Sequence, residues 1–216
     1  MFLPLLVYIK INRGGKMMKK ERVEAFTDAV LAIILTIMIL EFKTPESFAI
    51  SDILDQVPYL ISYAIGYLFI GVAWYNHHYM FAKTNWITQN VYWANNLWMF
   101  TTSFVPVATA WVGRGLNEQG PEIFYFVVFL AWSSAYYYLS NRLIKANEKD
   151  HRPKAAEAIR SMVIYRYMSN WKLVGGQLIL SVIVLKFMPA LQMVIVTLMI
   201  IFIGARFNAD SDRLFR

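Results

Sequence analysis

Residues 22–42 read RVEAFTDAVLAIILTIMILEF, and this stretch decides the fold. From Ala29 to Leu40 every residue but Thr36 is apolar. A run of that kind suits the roughly 20 residues a helix needs to cross a bilayer. Yet the segment opens with Arg22, Glu24 and Asp28, and a Phe-Thr-Asp step leads into the apolar part. Charges at the edge of a membrane span are costly and point to a role. Arg22 and Asp28 stand six apart, which is not the three- or four-residue spacing of a direct helical pair. Each is therefore expected to reach a neighbouring helix or subunit. A plainer reading stands beside that one: Arg22 as a positive anchor at the inner surface and Asp28 as a helix-start charge favoured by the dipole.

The rest of the chain agrees with a membrane solvent. Of 216 residues, 58% are hydrophobic and only 16% charged, against ~45–50% and ~25% in soluble domains. Mean hydropathy is +0.42. Apolar stretches recur near 26–42, 57–81, 91–112, 122–144, 164–186 and 189–206. Backbone groups inside a bilayer must be satisfied within the segment, so these are expected helices. The fold class is all-α: a polytopic membrane protein with about six transmembrane helices. The fifth carries Arg166 and Lys172 and is the one whose start could fall later, near Trp171.

Charge sets the orientation. With the N-terminus inside, eighteen of the 21 Lys and Arg lie on the inner side, and only Lys43, Arg114 and Lys186 lie outside. That bias places both termini in the cytoplasm and the protein in the cell membrane as a multi-pass chain. It also accounts for the net charge of +7 without nucleic acid as a partner. Residues 1–21 are expected to form an N-terminal cytoplasmic tail and 22–216 the transmembrane domain, with a charged cytoplasmic connection at about 145–163. The patch MFLPLLVYIKIN is too short to span; Met17 and Met18 are alternative starts to Met1. Trp86, Tyr92, Trp93, Trp111 and Trp171 sit near expected helix ends, as in an interfacial belt. Asn85, Asn90, Asn95 and Asn96 read as the turn after the second span.

Along the first span, Ile33, Ile37 and Leu40 fall within about 60° of one another at 100° per residue, with Thr36 beside them. Every membrane helix has an apolar stripe, and lipid or core is its usual neighbour. If identical copies met around an axis, the stripe would instead become rings that close a dry constriction. Near Asp28 in depth come Trp74, His77 and His78. Adjacent histidines diverge by about 100° and chelate poorly; one is expected to face Asp28, with pH sensitivity as a consequence. The chain has no cysteine. It has no His-Glu-x-x-His, no phosphate-cradling glycine loop and no convincing triad, so an enzyme is not expected, and neither is a cofactor or bound metal. A proton-coupled secondary transporter of the inner membrane, working through Asp28 and a histidine, is the alternative to a channel. The acidic Glu41, Glu46, Asp52 and Asp55 could draw cations to the outer mouth.

Arg22-x-x-x-Phe26-Thr27-Asp28, continued by AVLAIILTIMILE and by Trp74-x-x-His77, resembles the Arg-x-x-x-Phe-Ser-Asp signature of the transmembrane protein 175 family. Thr27 stands where that family usually has serine, keeping the hydroxyl. The resemblance, to the shorter bacterial form, implies a homotetrameric potassium-permeable channel with the first helix lining the pore and K+ as the permeant ion. It implies a hydrophobic gate at Ile33, with Ile37 and Leu40 further out, and a potassium preference linked to Thr36. It also implies that Arg22, Phe26, Thr27 and Asp28 hold the helix head from behind the pore, against Trp74 and His77. No Thr-Val-Gly-Tyr-Gly run is present, so selectivity through a carbonyl-lined filter is not expected.

Overall fold

The structure, a computed structural model, describes residues 18–45 and 48–205. The N-terminal apolar patch, Met17, Glu46 and the last three arginines lie outside these residues. Helix α1 runs Lys20–Leu40. A short helix α2, Ser51–Leu54, leads into α3, Val57–Ala82. Next come α4, Gln89–Thr102, α5, Val105–Arg114, and the long α6, Gln119–Lys149. Helices α7, Pro153–Arg160, and α8, Val163–Ser169, precede α9, Trp171–Phe187. The last is α10, Ala190–Met199, whose end widens into a π-turn at Ile200–Gly204.

All six expected apolar stretches are helical, but not all are single helices. Among the described residues, α1, α3 and α6 are long and apolar enough to cross a membrane unbroken. The stretch expected at 91–112 is divided at Ser103-Phe104. There Pro106 withholds a backbone donor from the new first turn. The hydroxyls of Thr101, Thr102 and Ser103 turn back on carbonyls of α4 at 2.7–2.8 Å, a pattern that bends helices. The stretch expected at 164–186 breaks at Asn170, where α8 and α9 meet at 80°. The Asn170 carbonyl caps the N–H groups of Lys172 and Leu173, so the main helix starts at Trp171, the later of the two positions considered. The last apolar helix, Ala190–Gly204, is shorter than the three unbroken ones.

Met18–Lys19, strand β1, pairs antiparallel with β2, Trp86–Ile87, and α1 starts at Lys20 rather than near residue 26. The pairing ties the head of α1 to the turn after α3, with Ile87 wholly buried. Met18 and Lys19 are thus paired with the turn after α3.

Inside, α4 packs along α6, and α3 along α5. Trp98 lies against Tyr136 and His77, and Trp132 stacks on Tyr136. Four of the five belt residues, Trp86, Trp93, Trp111 and Trp171, are exposed, as an interface requires; Trp98 and Trp132 are core. Two glycines set helix separation. A Cβ on Gly66 would meet the Met38 methyl at 2.4 Å, and one on Gly113 the Tyr59 backbone at 2.9 Å. Small residues of this kind let membrane helices approach where no hydrophobic force draws them together. The charged connection is helical at α7. Ala156 and Ile159, both fully buried, anchor it. Its Arg160–Glu148 pair, which raises the already high pKa of Arg160, is exposed and adds little.

Candidate functional site: the two faces of the first helix

Val23, Thr27, Leu31, Ile34 and Met38 are buried in α1, at the three- and four-residue steps of one helical face. They pack it onto α3, α4 and α5. The opposite face is bare. Ile33 is 57% exposed, Ile37 46% and Leu40 78%, and Thr36 is exposed beside them. The Thr36 hydroxyl donates to the Ile33 carbonyl at 2.9 Å. Its proton is thereby used within the helix, which leaves oxygen lone pairs on the exposed side.

The head of α1 is held by two sets of polar contacts. Thr27 Oγ1 donates to the Val23 carbonyl at 2.9 Å and accepts from Asn95 Nδ2 at 2.8 Å. The Asn95 carbonyl oxygen lies 2.8 Å from His77 Nε2, so it takes the proton of that ring nitrogen. Thr27, Asn95 and His77 are all shut away from the surface. One residue along, the Trp74 indole N–H donates to Asp28 Oδ1 at 2.7 Å, and the Trp74 ring stacks on His78. Lys20 and Glu24 approach to 4.0 Å on the first turn.

Some expected placements change. His77 does not face Asp28: it turns to Asn95 and lies between the Trp98 and Phe81 rings. Phe26 is 51% exposed and lies about 20° around the helix from Ile33. It therefore shares the exposed face of Ile33, Ile37 and Leu40 rather than the packed one, and Arg22 is exposed as well. Asn95, read as a turn residue, is the central member of the buried network. Its spacing from Val91 and Trp98 on α4, four and three residues, was the available sign that it belongs to a buried face. At the outer end Glu41 pairs with Arg114 at 3.3 Å, so the acidic rim is partly neutralised. A cavity of about 400 Å³ lies there, bordered by Glu41, Lys43, Asp55, Tyr59 and Arg114. The Tyr59 hydroxyl donates to the Met38 carbonyl, satisfying one of the last acceptors of α1. Among the described residues no three His, Cys, Asp or Glu side chains gather as a metal site.

The chain is an all-α bundle of apolar, membrane-spanning helices whose leading helix is gripped on one side and bare on the other, the architecture of a multi-pass membrane protein. A family profile described as the endosomal/lysosomal potassium channel TMEM175 matches residues 22–106, the span of α1, α3 and α4 that holds every residue of the head network. The chain belongs to this family. A potassium channel of Chryseobacterium sp. (strain P1-3) is 35% identical over 144 residues, 67% of this chain and 74% of that one. A potassium channel of Streptomyces collinus is 32% identical over 102 residues, 45% of this chain and 50% of that one. The crystal structure of a lysosomal potassium-selective channel TMEM175 homolog from Chamaesiphon minutus superposes with a TM-score of 0.69. It is 22% identical and the match covers 88% of this chain and 98% of that one, which establishes the shared fold.

Proposed function

We propose that the chain is a potassium-permeable channel that conducts K+ along an axis where copies of α1 meet, as a homotetramer with both termini in the cytoplasm. The carrying observation is the bare face of α1. Its own fold buries the other side and leaves Ile33, Ile37, Leu40 and Thr36 unpacked. Exposure alone would suit lipid equally, since lipid is as apolar as leucine. The membership in a family of potassium channels favours the axis. Around it Ile33 forms the narrowest dry ring, with Ile37 and Leu40 outward of it, and an ion crosses only when the rings widen or wet. The Thr36 oxygens, freed by the backward hydroxyl bond, offer partial coordination to a cation that has shed some water. Arg22, Phe26, Thr27, Asp28, Trp74 and His77 set the helix rather than touch the ion, although Phe26 on the shared face would border the inner mouth.

The 80° break at Asn170 is the feature a proton-coupled transporter would use, and flux separates the two readings. Protein reconstituted in liposomes is expected to pass K+, with Na+ and Cs+ for comparison, at rates that do not saturate as a carrier's do. Ile33→Ala should widen the ring and raise unitary conductance. Saturable, proton-driven flux would sink the channel reading, and unchanged currents in Ile33→Ala would sink Ile33 as the gate.

A further inference from the structure

Away from α1, a cavity of about 270 Å³ opens between the middle of α3, the middle of α6, the α8–α9 break and the π-turn. Its walls are largely apolar: Phe69, Val72, Phe129, Ile164 and Ile203 among them. Two backbone irregularities border it. One is the 80° bend at Asn170, bridged by the Tyr167 hydroxyl, which donates to Gln177 Oε1 at 2.7 Å. The other is the π-turn, whose Gly204 carbonyl is held by Asn76 at 2.8 Å. π-turns of this kind concentrate at functional sites.

Three donors on the wall lack acceptors among the described residues: Trp132 Nε1, Ser133 Oγ and Gln177 Nε2. Trp132 is 97% buried by its 3% exposure. A buried donor with no acceptor is expensive, and three residues that carry one line the same largely apolar space. A water could satisfy one end, but a water needs two to four polar partners and the remaining volume is apolar. The wall includes Ser134, which is exposed, so the cavity reaches the outer surface of the bundle. At about 30 Å³ for each water-sized group, the volume holds about nine such groups.

We propose that this cavity is a binding site for an acyl chain that carries a carbonyl or carboxylate group: the chain fills the apolar volume and its oxygens accept from unpartnered donors on the wall. Val72 and Ala73 on its wall directly precede Trp74, so an occupant rests on the helix that holds Asp28. The ester of a bilayer phospholipid and the carboxylate of a free fatty acid offer the same chemistry.

Two photoreactive probes distinguish them in the reconstituted full chain: a diazirine-bearing palmitic acid, and a phosphatidylcholine with the diazirine on one acyl chain. Cross-links mapped by peptide mass spectrometry are expected within residues 129–137 and 164–177 with at least one probe, and excess unlabelled lipid of that kind should compete. Ser133→Phe, which fills the space, should abolish this labelling. Ser133→Ala, which removes one donor and breaks no other hydrogen bond, should weaken it about fivefold, the worth of one buried hydrogen bond. Ser133→Phe could fail to fold, but Ser133→Ala keeps the apolar wall and decides alone in that case. Labelling that neither variant lowers, or that falls evenly on exposed bilayer-facing positions, overturns the proposal.

Discussion

Replacing Asn95 by leucine tests whether the head of α1 is set by its buried hydrogen bonds. Asn95 is fully buried and spends both ends of its amide, on Thr27 Oγ1 and His77 Nε2, at 2.8 Å each. Leucine matches its volume closely enough that a cavity contributes little. The His77 N–H loses its acceptor inside a shell of rings and backbone, which costs about 1–3 kcal/mol for an orphaned buried donor. The Thr27 oxygen still donates to Val23, so its loss is smaller, near the ~0.6 kcal/mol average for interhelical bonds in membranes. Together the expected destabilisation is about 1.5–3.5 kcal/mol. Unfolding of the purified protein in mixed micelles of a mild and a denaturing detergent, followed by tryptophan emission, measures it. Trp98 stacks on His77 at 4.8 Å and reports on the site. Thr27→Val should cost less than Asn95→Leu. Because the two share one bond, the double variant should cost less than the sum of the two alone, by roughly the worth of that bond. A loss below about 0.5 kcal/mol for Asn95→Leu, or strict additivity of the pair, would refute the reasoning.

Other variants probe other contacts. Trp74→Phe keeps the ring over His78 and removes the donor to Asp28; it should cost about 0.5–1.5 kcal/mol and lower the yield of intact oligomer on size exclusion. Asp28→Asn retains an acceptor for the indole and should be milder; equal losses would argue against the bond. Gly113→Leu forces a side chain within 2.9 Å of the Tyr59 backbone and should cost about 1–3 kcal/mol or more by overpacking, read as a fall in unfolding temperature. Thr36→Ala should reduce the preference for K+ over Na+ while Thr36→Ser keeps it, measured as reversal potentials under bi-ionic conditions; identical potentials in all three would remove Thr36 from selectivity.

Periodicity and hydropathy located the six long apolar helical stretches, because the bilayer leaves the backbone so few alternatives, but not the short helix Ser51–Leu54. They did not locate the breaks. Ser103 and Asn170 interrupt their helices through side chains that bond to nearby backbone, and such residues also occur in unbroken membrane helices without effect. The head motif was readable as Arg22 to Asp28, and the resemblance already set it against Trp74, which Asp28 reaches 46 residues away. Asn95, which Thr27 reaches 68 residues away, was not readable as a partner. Asn95 looked like a turn residue because it is one of four nearby asparagines, two of which, Asn85 and Asn90, do lie just before or at a helix start. His77 turns away from Asp28 for a related reason. The ring at 77 and the indole at 74 are a turn apart on α3 and point to different helices, and only packing decides which of them reaches Asp28. The β1–β2 pairing was invisible because two residues a strand carry no periodicity to detect.

The polar head and the apolar tail of α1 answer one physical problem. Between helices in a bilayer there is no hydrophobic force to choose a rotation, since lipid contacts and helix contacts are alike to an isoleucine. A helix made only of AVLAIILTIMIL could turn about its axis at little cost, and the residues facing any shared axis would turn with it. Thr27 and Asp28 point about 100° apart, and they are bonded to different helices, α4 through Asn95 and α3 through Trp74. One such bond would leave α1 free to swivel about it; two, from adjacent residues to two neighbours, fix the rotation. With the rotation fixed at the head, the face carrying Ile33, Ile37 and Leu40 is fixed along the rest of the helix. The Thr27 hydroxyl and the Asp28 carboxylate at the start of the span are therefore what determine which greasy side chains are left bare at its centre.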